Sequence, residues 1–343
     1  MARSIGSNHG FKVYFFMGKG GVGKTTCAAS FALQVAKRKR VLIVSLDPAH
    51  NLGDVLDVKV GDEPTKVTDR LYAIEVDFEG MIVKHLKSLT ERIKDIYGYL
   101  RVLNLDRYVD ILRHSPGIEE YAVLDKVIEI IKGNVKSNKY DVIVFDTPPT
   151  GLTLRIMALP SISSIWIDKL IGLRLAILDR RRIIEEVTGE KIKAIVKGRE
   201  IEIPSTREVD PIYKELIKMK EEVDFITSII KNDDMTKVVM VVNPEALPVI
   251  EAKRALDFLN VLGVRVKYLI VNKVLSLLDV KSLPKEFMSK VEEEKRAIKL
   301  IEGFFKDQVR ISIPLMYEEP KGIHKLELLK IYLKPLIDEV VSS

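Results

Sequence analysis

Nine residues near the start of the chain, Gly18-Lys19-Gly20-Gly21-Val22-Gly23-Lys24-Thr25-Thr26, limit what the rest can become. They match G-x-x-x-x-G-K-[ST] and lie between an apolar, β-like run (Val13 to Met17) and an amphipathic helical pattern from Thr25 to about Lys37. That strand-loop-helix setting is where the motif wraps a phosphate. The glycines allow tight positive-φ turns that leave backbone N–H groups facing an anion. Lys24 would reach the outer phosphates and Thr25 would offer its hydroxyl to Mg²⁺. The helix that follows would point its positive dipole end at the β-phosphate. Lys19 is a second ammonium in the loop, for which a lone nucleotide site has no obvious use. It would offset phosphate charge if it came from a facing subunit, as an arginine finger supplied in trans does; the alternative is a solvated loop lysine.

Two carboxylates follow at places the same chemistry needs. Arg40 to Asp47 (RVLIVSLD) and Tyr140 to Asp146 (YDVIVFD) read as buried strands, each ending in aspartate. In an open parallel sheet the ligand sits beyond the carboxyl ends of the strands. Asp47 would then orient a water for in-line attack if its strand and the first are near neighbours, and Asp146 would hold Mg²⁺ directly or through water. The competing reading for Asp47 is a turn or cap residue. Thr147-Pro148-Pro149-Thr150-Gly151, after Asp146, suits a switch loop, or else a plain strand-to-helix turn.

The remaining strands are Leu71 to Asp77, Lys237 to Asn243, Val266 to Lys273 and Val309 to Pro314. Between them lie helical patterns at Phe78 to about Arg113, Glu119 to Lys132, Pro211 to Lys231 and about Leu247 to Leu262, with an amphipathic helix at Leu326 to Val341 that packs on the sheet. Thr188 to Pro204 alternates like a hairpin or loop. The expected fold is therefore α/β: a mostly parallel sheet flanked by helices, with an inserted α-helical subdomain. The 1–343 chain is expected to form a single domain with its core from 10–77, 134–151 and 234–343 and the helical subdomain from 78–133 and 152–233.

Leu154 to about Ile184 is apolar on more than one helical face, through Met157, Ile162, Trp166, Leu170, Leu173 and Ile177 among others. Asp168, Lys169 and Arg174 interrupt it and speak against a membrane span. Either it is a core helix or it walls an apolar groove.

Composition narrows the function. Lys and Arg total 55 against 49 Asp and Glu, a net +6 too diffuse to argue for nucleic acid. The single cysteine, Cys27, excludes an intramolecular disulfide and a thiolate zinc cluster within one chain. The first twelve residues contain no apolar leader, so a cytoplasmic location is expected.

With these residues in place the chain resembles the Get3/ArsA-type ATPases, within the deviant Walker A group of P-loop NTPases that also holds MinD, ParA and nitrogenase iron protein. KGGVGKTT is shared by the whole group. DPAHNLGDVL (Asp47 to Leu56) and DTPPTGLTLRIMALP (Asp146 to Pro160) are more specific and resemble the two switch regions, and IPLMYEEPKGIHKL (Ile313 to Leu326) resembles the C-terminal element. The resemblance implies ATP hydrolysis with Mg²⁺ in a homodimer. It implies that Lys19 reaches the nucleotide across the dimer, Asp47 positions the hydrolytic water, Asn272 reads adenine and Glu245 contacts the nucleotide. It further implies that the helical inserts of two copies join into an apolar groove for the transmembrane helix of tail-anchored proteins, and it leaves room for a membrane receptor. The family's C-x-x-C zinc pair is absent from Val274 to Lys290, so no zinc is expected. Leu152 replaces a histidine frequent in the second switch. The alternatives are an arsenite-pump ATPase, against which the cysteine count speaks, and a ParA/MinD-like organiser.

Overall fold

Runs such as VLIVS, VIVFD and TKVVMVV show no polar alternation, so they need cover on both faces, which a parallel sheet between helices supplies. A computed structural model describes residues 10–49, 51–96, 115–196, 199–278 and 287–342. His50 and the end of the first helical insert, including Tyr97, Leu100 and Leu103, lie outside the described residues.

The chain begins β1 (Lys12–Gly18), α1 (Lys24–Val35), β2 (Val41–Ser45), α2 (Leu52–Leu56), β3 (Thr65–Lys66), β4 (Leu71–Glu75) and α3 (Phe78–Ile96). It continues through α4 (Ile118–Ser137), β5 (Val142–Asp146), α5 (Thr150–Thr188), the hairpin strands β6 (Lys193–Val196) and β7 (Arg199–Glu202), and α6 (Pro211–Ile230). The last part holds β8 (Thr236–Val242), α7 (Ala246–Val261), β9 (Val266–Val274), α8 (Met288–Phe304), β10 (Val309–Pro314), α9 (Ile323–Glu327) and α10 (Lys330–Ser342).

Eight strands form one sheet in the order β10-β9-β8-β1-β5-β2-β4-β3. All its pairings are parallel except that of the short β3 with β4. β1 and β2 are not direct neighbours, because β5 pairs with both. That insertion puts Asp146 opposite Phe16 on one side and Ser45 on the other, so three strand ends converge beside the phosphate loop.

The chain divides into two compact units. The first comprises Met1–Phe78, Glu129–Met157 and Ile229–Ser343; the second, Glu79–Ile128 and Ala158–Ser228. In the first, α1 lies on the sheet with Phe31 at its centre, its ring 4.7 Å from Tyr14 and 5.6 Å from Phe16. Leu326, Leu333 and Leu336 of the C-terminal helices, with Leu329 in the turn between them, complete that core, as the amphipathic pattern predicts. Ser30, inside α1, donates to the Leu326 carbonyl at 2.8 Å, so a buried hydroxyl is satisfied across the contact.

In the second unit Asp210 is fully buried at the head of α6. It accepts the Tyr213 N–H at 2.6 Å, an N-cap, and takes both prongs of the Arg174 guanidinium at 3.0 and 2.5 Å. Burial alone would raise its pKa. The Arg174 fork and the Tyr213 N–H outweigh burial and hold it below the ordinary carboxylate value.

Candidate functional site

The phosphate loop is shaped by contacts only glycine permits. A Cβ on Gly18 would stand 2.3 Å from the Val241 carbonyl, and one on Gly23 would stand 2.4 Å from Asn272 Nδ2. Gly23 also has φ +93°, and Gly21 φ +78°. The chain turns there and enters α1 at Lys24. Among the described residues no N–H of Gly20, Gly21, Val22 or Gly23 has an acceptor. Four unpaired donors at a helix N-terminus are a cradle for an anion.

Asp146, wholly buried at the end of β5, accepts the Thr25 hydroxyl on Oδ2 at 2.7 Å. Among the described residues its Oδ1 has no partner in hydrogen-bond geometry, and the hydroxyl of Ser45 stands opposite it in register. Burial pushes the Asp146 carboxyl up to about 7, with the Thr25 hydroxyl and the Lys24 ammonium pulling the other way. A buried carboxylate with an orphaned oxygen, next to a threonine hydroxyl, is a donor set that fits Mg²⁺, a hard cation served by oxygen.

The switch segment is tied to the same corner. Thr147 gives both its N–H (3.1 Å) and its hydroxyl (2.9 Å) to the Phe16 carbonyl. The Thr153 hydroxyl lies 2.9 Å from that of Thr147 and 2.6 Å from the Pro148 carbonyl. Sequence reading missed this hydroxyl chain; both residues sit in a quoted motif, but only the β1–β5 register shows what they touch.

The predicted residues do not all arrive together. Lys24 and Asp47 do, with Nζ 3.7 Å from Oδ2 and both side chains mostly buried. Asp47 also accepts the Ala49 N–H at 3.1 Å, so it is a turn residue as well as a lining of the cleft. Asn272 lines the cleft too, but its amide is turned into the loop, donating to the Val22 carbonyl at 2.8 Å. Lys19 points to its own chain, where its ammonium meets Glu251 of α7 at 3.1 Å with both side chains half exposed. Glu245 is exposed at the head of α7 and is not among the residues lining the cleft.

The cleft itself has a volume of about 800 Å³, within the range of small-molecule sites. Its far wall is the segment after β10, with Met316, Glu318, Glu319, Pro320 and Lys321. The Gly322 N–H ties that segment to the Val55 carbonyl in α2 at 2.9 Å. Lys273, also on the cleft, was not singled out by the sequence; its Nζ donates to the Gly21 carbonyl at 2.9 Å.

The apolar stretch resolves into two parts. Met157 is only 4% exposed and belongs to the core of the first unit, so it cannot line a groove in this structure. In the second unit Ile162, Ile165, Trp166, Leu170 and Leu173 of α5 are each between 45% and 67% exposed. Their spacing of three and four puts them on one face; Ile177, one turn on, is half-buried. By length and composition α5 can cross a membrane, its most apolar 18 residues averaging a hydropathy of 1.4, yet only 28% of that window is buried. It is therefore not an ordinary core helix.

Comparison with known proteins agrees with this geometry. The family described as anion-transporting ATPase matches residues 11–334. The ATPase get3 of Aspergillus terreus (strain NIH 2624 / FGSC A1156) is 31% identical over 328 residues, 95% of this chain and 91% of that protein. The ATPase get3 of Pyrenophora tritici-repentis (strain Pt-1C-BFP) is 30% identical over 333 residues, covering 94% and 91%. A protein of Aquifex aeolicus (strain VF5), provisionally named arsenical pump-driving ATPase 2, is 30% identical over 318 residues, covering 92% and 97%. The chain belongs to the anion-transporting ATPase family and is an ATP-hydrolysing enzyme of the Get3/ArsA kind.

Proposed function

We propose that this ATPase acts as a cytosolic homodimer that captures the transmembrane helix of tail-anchored membrane proteins on the exposed face of α5 and releases it in an ATP-dependent cycle. The observation that carries the reading is the unpartnered row from Ile162 to Leu173, which a water-soluble helix does not keep without a use.

In the chemistry proposed, the free N–H groups of the loop and Lys24 hold the triphosphate. Asp47 orients the attacking water, and its pairing with Lys24 keeps that carboxylate at the phosphate end. Thr25 and Asp146 hold Mg²⁺, which would neutralise charge on the phosphate oxygens. Lys19 leaves Glu251 to reach the nucleotide of the facing copy, and Asn272 and Glu245 take their nucleotide contacts only in that closed form. Exposure of both partners makes the Lys19–Glu251 pair weak enough to exchange.

A second reading, the energising subunit of an arsenite pump, is favoured by the Aquifex relative's name. It needs soft thiolate ligands, and Cys27 is buried with its thiol pushed up to about 12 by burial. Purified protein incubated with a detergent-free transmembrane segment of about 20 residues tests the first reading. Co-purification supports it; no capture with or without ATP, together with ATPase stimulation by arsenite, replaces it by the second.

A further inference from the structure

Near its end β9 carries two neighbouring residues whose side chains reach two successive carbonyls of the phosphate loop. Asn272 Nδ2 donates to the Val22 carbonyl at 2.8 Å and Lys273 Nζ to the Gly21 carbonyl at 2.9 Å. Adjacent strand residues ordinarily face opposite sides of a sheet. Lys273 departs from that alternation through a left-handed backbone, φ 60°, which a residue with a side chain adopts only at an energetic cost.

In a trans peptide the N–H points away from the C=O of the same unit. Fixing the carbonyls of Gly21 and Val22 therefore turns the N–H groups of Val22 and Gly23 to the opposite side, where neither has an acceptor among the described residues. Gly23 fits the same arrangement, since a Cβ there would collide with the Asn272 amide.

We infer that Asn272 and Lys273 are positioning residues that hold the phosphate loop in its anion-binding shape before any nucleotide arrives. A loop fixed in advance has less conformational freedom to lose when the phosphate binds. This role is separate from the reading of adenine expected of Asn272. It acts on any triphosphate, with or without a base, and rests on the assignment of the cleft as the ATP site.

Inorganic tripolyphosphate, which has no base, separates the two roles. Calorimetric titrations of the full chain with ATP and with tripolyphosphate compare wild type, Asn272→Ala, Lys273→Met and Lys273→Arg. Removing either bond is expected to weaken tripolyphosphate binding by about fivefold, the worth of one ordinary hydrogen bond. Because positioning is local, the loss from Lys273→Met is expected to persist in about 0.5 M salt, where simple charge attraction fades, and Lys273→Arg is expected to recover most of it. Unchanged ligand-free melting curves show that each variant folds. An Asn272→Ala protein that loses ATP affinity but keeps full tripolyphosphate affinity overturns the inference, as does a Lys273→Met loss that vanishes in salt. Wild-type ATP binding in the same titrations checks the site assignment separately.

Discussion

The two candidate functional regions are built on opposite terms. At the carboxyl end of the sheet several polar side chains are held by fixed hydrogen bonds: Thr25 to Asp146, Thr147 and Thr153 to Phe16 and Pro148, Asn272 to Val22. On α5 the apolar side chains of Ile162, Ile165, Trp166, Leu170 and Leu173 stand 45% to 67% exposed. A site that must stabilise developing charge gains from groups fixed in advance. A surface that must accept apolar helices of varied sequence gains from shape left open, with specificity set by hydrophobicity rather than by individual contacts. The first should therefore respond steeply to single changes of chemistry, the second only to changes of polarity.

The largest effect is expected where the fixed geometry is thinnest. Asp47→Asn should lower kcat by roughly 10²- to 10⁴-fold, the scale of a lost acid–base or water-orienting group, while nucleotide binding measured by calorimetry stays close to wild type. Normal hydrolysis by that variant removes Asp47 from the chemistry and erases the steepness claimed for this region.

Next comes the support of the second unit. Asp210→Ala leaves Arg174 without its fork in a largely buried place, and loss of one partner from such a pair costs about 3 kcal/mol. Circular dichroism melting should show the loss. A variant that melts like wild type contradicts the view that this ion pair props up the unit carrying the open face.

Polarity on that face is tested by Trp166→Asp combined with Leu170→Asp. Capture of a transmembrane segment should fall by tenfold or more, since exposed aromatic and aliphatic anchors dominate such contacts, with ATPase activity in the absence of client unchanged. Equal loss of both activities would mean that the two regions are not separable.

The smallest effect is one of pH. Asp210 has a folded pKa below its unfolded value, so its ionised form contributes stability above the ordinary carboxylate range and loses it as pH falls through the folded value. The stability gap between wild type and Asp210→Asn should therefore close only under acid conditions, below about pH 4. A gap that closes near neutrality assigns the effect to another group.

These contrasts also explain what was readable in the residues. The meeting of the loop, Lys24, Asp47 and Asp146 at one end of the sheet was legible because they stand in contiguous motifs at strand ends, and the parallel sheet because its strands lack alternation. Met157 and Ile162 were not separable, since both sit in one apolar run and only the tertiary turn of α5 decides which is covered. The Lys19–Glu251 pair and the grip of Asn272 and Lys273 on the loop join residues more than 200 positions apart. Likewise, the place of β5 between β1 and β2 is a long-range choice that no local pattern encodes.

Trp166 is the only tryptophan in the chain and stands two-thirds exposed, at 67%, in the middle of the open face. Its fluorescence is the most direct test that an ATPase of this family uses α5 to hold apolar helices. Addition of a transmembrane peptide should shift its emission from that of a wet indole to that of a buried one, and ATP with Mg²⁺ should change the peptide concentration needed. Emission that ignores both peptide and nucleotide would contradict the proposal.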